Sequence, residues 1–124
     1  GQTPLFLAAM SGNEMMVERL LTMPEVSPDV QDIFGNTPLH AAGDWGHANI
    51  AKLLLSRSDV DPNSKNVNGD TPFHFGHHEY VDEDILKLFL NLDNFDPNIA
   101  NNHGSTPLSL AAEYGRIWIV EMLL

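Results

Sequence analysis

The residues best placed to do chemistry are the histidines of HFGHH, His74 to His78. On a helix, His77 and His78 stand three and four residues beyond His74. That spacing lets two imidazoles reach one metal ion, with Glu79 or Asp82 nearby. The acids that follow, Asp82-Glu83-Asp84, have a simpler account. Carboxylates at a helix N-terminus complement the helix dipole, a gain of a few tenths to about 1 kcal/mol each. The chain has no cysteine, so it has neither disulfides nor thiolate ligands for zinc. It also lacks a nucleophile elbow, a phosphate-binding glycine loop and a paired-carboxylate motif, and Ser109 with a distant histidine makes no triad. The reading is of a protein without catalysis or cofactor, and without a native metal site at His74, His77 and His78.

What must position these residues is a pattern that occurs four times. It runs GQTPLFLAAMSGNEMMVERLL from Gly1, GNTPLHAAGDWGHANIAKLLL from Gly35, GDTPFHFGHHEYVDEDILKLFL from Gly69 and GSTPLSLAAEYGRIWIVEMLL from Gly104. The Thr-Pro pairs start at Thr3, Thr37, Thr71 and Thr106, so the spacings are 34, 34 and 35 residues. Self-similarity at such a period means a stacked repeat array.

Each residue of the pattern has a mechanical reason. Thr37 is a good N-cap, its hydroxyl able to accept from an amide of the first turn. Pro38 suits the first helical position, where a missing N–H costs nothing. Leu39 and Ala42 are expected to face inward, the small alanine letting a neighbouring helix approach. Gly46 is expected to end this short helix in a left-handed conformation. In the second helix Ile50, Leu53 and Leu54 have the spacing of one apolar face. The connectors, SRSDVDPNSKNVNGD from Ser56 and NLDNFDPNIANNHGS from Asn91, are dense in turn formers. Each carries an apolar residue expected to be buried, Val60 or Phe95.

On these residues the chain resembles the ankyrin-repeat family. The match is carried by Thr-Pro-Leu-His at Thr37–His40, Ala41-Ala42, Gly46-His47 and Leu54-Leu55. Thr-Pro-Leu recurs at Thr3 and Thr106, and Thr-Pro-Phe at Thr71. A tetratricopeptide array shares the period but lacks the hairpin segment and the Thr-Pro cap. The resemblance covers essentially all 124 residues. It implies an all-α solenoid of stacked helix-turn-helix units joined by β-hairpin-like loops. The chain is then one array with units at about 1–31, 32–65, 66–100 and 101–124. Beginning and ending inside a repeat, without polar end units, is expected of a piece of a longer array, in which Trp118 and Met122 cover a neighbour. The third unit departs most: Gly76 and His77 replace the two small residues, and Tyr80 stands where others have Gly12, Gly46 and Gly115. In the first and last units Phe6 and Ser109 replace the histidine.

The resemblance also implies roles. His74 takes the place of a histidine that bonds back to its own threonine. Asn63 and Asn98 fall in the loop where the family is hydroxylated on asparagine, though local turn bonding is the expected duty of each. Partners of the family contact the hairpin tips and the exposed side of the first helices. By offset from each threonine, the tips are Ile33, Phe34 and Asn36; Val67, Asn68 and Asp70; and Asn102, His103 and Ser105. The helical positions are Met10 and Ser11, Asp44 and Trp45, His78 and Glu79, and Glu113 and Tyr114. Trp45, Phe34 and Tyr114 are the expected anchors, since aromatics dominate binding energy at such faces.

Charge narrows the partner. Asp and Glu number 17 against 6 Lys and Arg, a formal −11. Nucleic acid and anionic membranes need clustered cations that the chain does not have. A protein with a basic or mixed surface is favoured electrostatically. The longest apolar run, Leu5–Met10, is too short to span a bilayer. With no cysteine, signal segment or Asn-x-Ser/Thr acceptor, an intracellular monomer is expected, acting as a protein-binding scaffold. The competing expectation is a structural spacer, or an autoinhibitory arm of a larger enzyme, channel or effector.

Overall fold

The computed structural model describes residues 1–74, 81 and 83–124. Among them are seven α-helices and no strand: α1 (Pro4–Ser11), α2 (Glu14–Leu21), α3 (Pro38–Asp44), α4 (Ala48–Leu55), α5 (Glu83–Leu90), α6 (Pro107–Glu113) and α7 (Ile117–Leu123). Four of them, α1, α2, α3 and α6, begin at a side-chain cap. The hydroxyl of Thr3 accepts from Phe6 N–H at 3.1 Å, and those of Thr37 and Thr106 from His40 and Ser109 N–H at 3.3 and 3.2 Å. Pro4, Pro38 and Pro107 follow at the first helical position. Helix α3 stops at Asp44, and Gly46 supplies the expected left-handed turn, with φ of 72°. Glu83 and Asp84 occupy the first turn of α5, where Lys87 closes on Glu83 at 2.8 Å.

Helices pair as antiparallel neighbours, α1 with α2, α3 with α4 and α6 with α7, and α1 packs along α3. Leu5, Ala9, Leu39, Ala42 and Ala111 are fully buried, as are Ile50 and Leu54 of α4, while Leu53 packs partly exposed against the same core. The alanines act by being small, letting α1 and α3 approach closely. In the third unit, Phe73 takes the place of leucine and meets Phe89 and Phe95 at ring centroid distances of 5.2 and 4.6 Å. Phe95 thus carries the connector's apolar residue onto the core, as the buried Val60 does one unit earlier.

The third unit differs in one further respect. No helix starts at Pro72: residues 71–74 form a turn, closed by His74 N–H on Thr71 O at 3.0 Å. The hydroxyl of Thr71 accepts from Phe73 N–H, one position earlier than in the other units. The helix expected to carry His77 and His78 lies outside the described residues.

The hairpins are held by side chains as well as by backbone. In the first, Asp32 N–H donates to Asn36 O at 2.9 Å, and Asp32 Oδ1 accepts from both Phe34 and Asn36 N–H. Asn66 and Asn101 repeat this arrangement at the same register. Neighbouring tips share single backbone bonds, Val67 N–H to Phe34 O at 2.9 Å and Asn102 N–H to Asn68 O at 2.8 Å. A single bond between tips makes no ladder, so hairpins form without strands. Gly35 permits the approach. A Cβ there would stand 2.9 Å from Asn66 Cα, and its φ is +77°.

Candidate protein-interaction surface

Two histidines set the distance between hairpins and first helices. Nδ1 of His40 accepts from Thr37 N–H at 3.1 Å, and its Nε2–H donates to Asp70 O at 2.9 Å. His74 does the same with Thr71 N–H at 3.0 Å and Ser105 O at 3.2 Å. Each ring therefore ties its own cap to the end of the next hairpin. Both nitrogens of His74 are engaged in these bonds. Among the described residues no group of three His, Asp or Glu converges on a common point; His77 and His78 lie outside them. Burial holds both imidazoles below the ordinary 6.5. The Asp70 carbonyl and the carboxylates of Asp44, Asp70 and Asp32 pull His40 the other way, with less effect.

The tips are shaped by Asp32, Asn66 and Asn101. These residues recur five positions before Thr37, Thr71 and Thr106, a signal present in the spacing but easily passed over as generic loop polarity. Cross-links continue along the row: Asn66 Nδ2–H donates to Asn36 Oδ1 at 2.9 Å and Asn101 Nδ2–H to Asp70 Oδ1 at 2.8 Å. Gln31 bridges to Gly35 O and Lys65 O. On the helical side, His47 donates from Nε2 to Met10 O at 3.1 Å, across to the preceding pair.

On this frame the three expected anchors are solvent-exposed: Phe34 to 57%, Trp45 to 50% and Tyr114 to 54%. Trp45 and Tyr114 cap α3 and α6 at the same register. Ile33, Val67, Asn68, Asn102, His103, Glu113 and Ser11 are exposed, while Met10, Asn36, Asp44, Asp70 and Ser105 are half-buried. His78 and Glu79 lie outside the described residues. Asn63 is committed, but its side chain bonds the next connector and not its own turn as expected: its Nδ2–H donates to Asn94 O at 2.7 Å and its Oδ1 accepts from Asp96 N–H at 2.9 Å. Asn98 closes a turn on Asp96 Oδ1. A cleft of about 330 Å³ lies on the opposite side, between α2 and α4, lined by Glu14, Glu18, Asn49, Lys52, Leu53 and Ser56.

The family model described as Ankyrin repeats (3 copies) matches residues 1–66 and again residues 58–124. The chain belongs to the ankyrin-repeat family. A comparison with curated proteins found no match. Ankyrin repeats are generally non-catalytic modules for protein–protein interaction. In this ankyrin array no helix among the described residues is long and apolar enough to cross a membrane.

Proposed function

We propose that this ankyrin array is a protein-binding scaffold without catalysis, seating its partner on the hairpin tips and first helices. Trp45 is the central anchor, flanked by Phe34 and Tyr114. The observation that carries this reading is the shared register of Trp45 and Tyr114. Both close a first helix, and both are half-exposed while Leu39, Ala42 and Ala111 of the same helices are buried. A large aromatic held at the surface by a rigid helix loses little entropy on binding and buries much area.

The test is Trp45→Ala, with affinity for a captured partner measured beside circular dichroism and thermal melting. Truncating a central tryptophan costs about 2 kcal/mol or more of binding. An unchanged affinity removes Trp45 from the site. A melting point that collapses together with affinity assigns it to the core.

A further inference from the structure

The middle hairpin tip carries a pair that its neighbours do not. Phe34-Gly35, Asn68-Gly69 and His103-Gly104 share one register, and only the second sets a carboxamide before the glycine. Nowhere else in the chain does glycine follow asparagine. Glycine has no Cβ, so its main-chain nitrogen is the least hindered nucleophile that can follow a carboxamide. Attack by that nitrogen on the asparagine Cγ closes a cyclic imide and expels ammonia.

Other asparagines are spent or crowded. The side chains of Asn36, Asn63, Asn66, Asn101 and Asn102 bond groups of a neighbouring unit. Asn91, Asn94 and Asn98 precede Leu92, Phe95 and Ile99, whose bulk shields the nitrogen that would attack. Asn68 is exposed, and its carboxamide bonds nothing among the described residues.

Two contacts hold the pair back. Gly69 N–H donates to Asn66 O at 2.9 Å, which engages the nitrogen in closing the turn. Asn102 lies over the glycine: a Cβ on Gly69 would stand 2.6 Å from Asn102 Oδ1. The same side chain donates from Nδ2 to Val67 O at 2.9 Å. The nitrogen is released when the tip opens, and local opening costs less than unfolding the array.

We infer that Asn68 is a site of spontaneous modification, its rate metered by the opening of the second hairpin tip. In the open tip Gly69 N gives its proton to solvent base and bonds to Asn68 Cγ. The Cγ–Nδ2 bond breaks, and the amide nitrogen takes up a proton and leaves as ammonia. Water then opens the imide. Cleavage at Cγ gives aspartate, while cleavage at the main-chain carbonyl gives isoaspartate, in which the chain runs through Cγ. Either product adds a negative charge to the tip. In isoaspartate the former Asn68 carbonyl becomes part of a free carboxylate. The bond it accepts from Asn102 N–H at 2.8 Å then loses its peptide acceptor.

The experiment incubates the 124-residue chain at mildly alkaline pH, folded and in urea. Peptide mass mapping and enzymatic methylation of isoaspartate locate the new acids. Acid at Asn68 is expected in both conditions, slower in the folded chain and absent from Asn68→Gln. Asn102→Ala, checked by circular dichroism, removes one hydrogen bond across the tip. It should speed the folded reaction about fivefold and leave the rate in urea unchanged. In aged protein the Asn102 amide should exchange its hydrogen faster. Acid forming first at another asparagine, or at Asn68 in urea alone, overturns the site. Equal rates folded and in urea, or a folded Asn102→Ala no faster than its parent, overturn the metering by the tip. The comparison with urea decides that point if Asn102→Ala does not fold.

Discussion

The Nε2–H of His40 donates to the carbonyl of Asp70, 2.9 Å away and 30 residues further along the chain. On its other side, Nδ1 accepts from the N–H of Thr37 at 3.1 Å. Only the neutral imidazole does both, because a protonated ring has no acceptor left for Thr37.

Acid should therefore loosen the array. His40 and His74 are held below their ordinary 6.5 by burial. The unfolded chain takes up these protons at a higher pH than the folded one. The contribution is whole above 6.5 and is lost as pH falls below it. Thermal melting followed from about pH 7.5 to about pH 5 should show a declining midpoint through this window. His40→Gln/His74→Gln, starting lower, should show a flatter profile. An equal slope in both proteins would place the sensitivity in other groups.

The caps should differ in weight. Thr37 is fully buried, and its hydroxyl both accepts from His40 N–H and lies 2.9 Å from the ring. Thr37→Val keeps the volume and removes the oxygen, an expected loss of about 1–2 kcal/mol in urea unfolding. The same change at the half-buried Thr3 should cost less, since water can reach the freed amide. Equal losses would show that burial adds nothing to the cap.

Gly35 and Gly104 share a backbone conformation, with φ of +77° and +78°. Alanine at Gly104 meets nothing within 4 Å, so it should cost only the left-handed strain, about 1–2 kcal/mol. Alanine at Gly35 meets backbone atoms of Asn66, the nearest at 2.9 Å. It should cost distinctly more, and the Val67 amide should lose protection in hydrogen exchange. Equal penalties would mean the first two hairpins sit further apart than described.

Phe89 is fully buried between Phe73 and Phe95. Phe89→Ala should destabilise by about 3–5 kcal/mol, by lost transfer energy and the cavity left behind. Phe95→Ala, at a partly exposed ring, should cost less. The third unit leans on these rings, so a small effect at Phe89 would show that its packing comes from elsewhere.

What could be read in the sequence was what each residue does locally. Thr37 before Pro38, Leu39 and Ala42 one turn apart, and Gly46 past the helix end fulfil their duties within one turn of chain. Local rules therefore reach them. The exposure of Trp45 and Tyr114 was legible in the same way, because both fall outside the inward register. The ties between units were not. His47 seeking Met10 O or Gln31 seeking Lys65 O joins groups 37 and 34 residues apart, and no neighbouring residue announces the partner. Residues 71–74 form a turn in which the Thr71 hydroxyl caps Phe73 instead of His74. That is a choice between two amides one residue apart, finer than any composition signal. The chemistry of docking was legible only as charge, since affinity belongs to two surfaces and one chain carries one of them.

The ties between hairpins run only to the next hairpin, Phe34 to Val67 and Asn68 to Asn102. Tension applied to the two ends of such an object passes through its links in series. Their compliances add, and the link that yields first sets the strength of the whole. A molecule lying along the tips would span several links at once and carry load beside them. Occupation of that face would then register as stiffness: the array would act as a soft spring when bare and as a strut when filled.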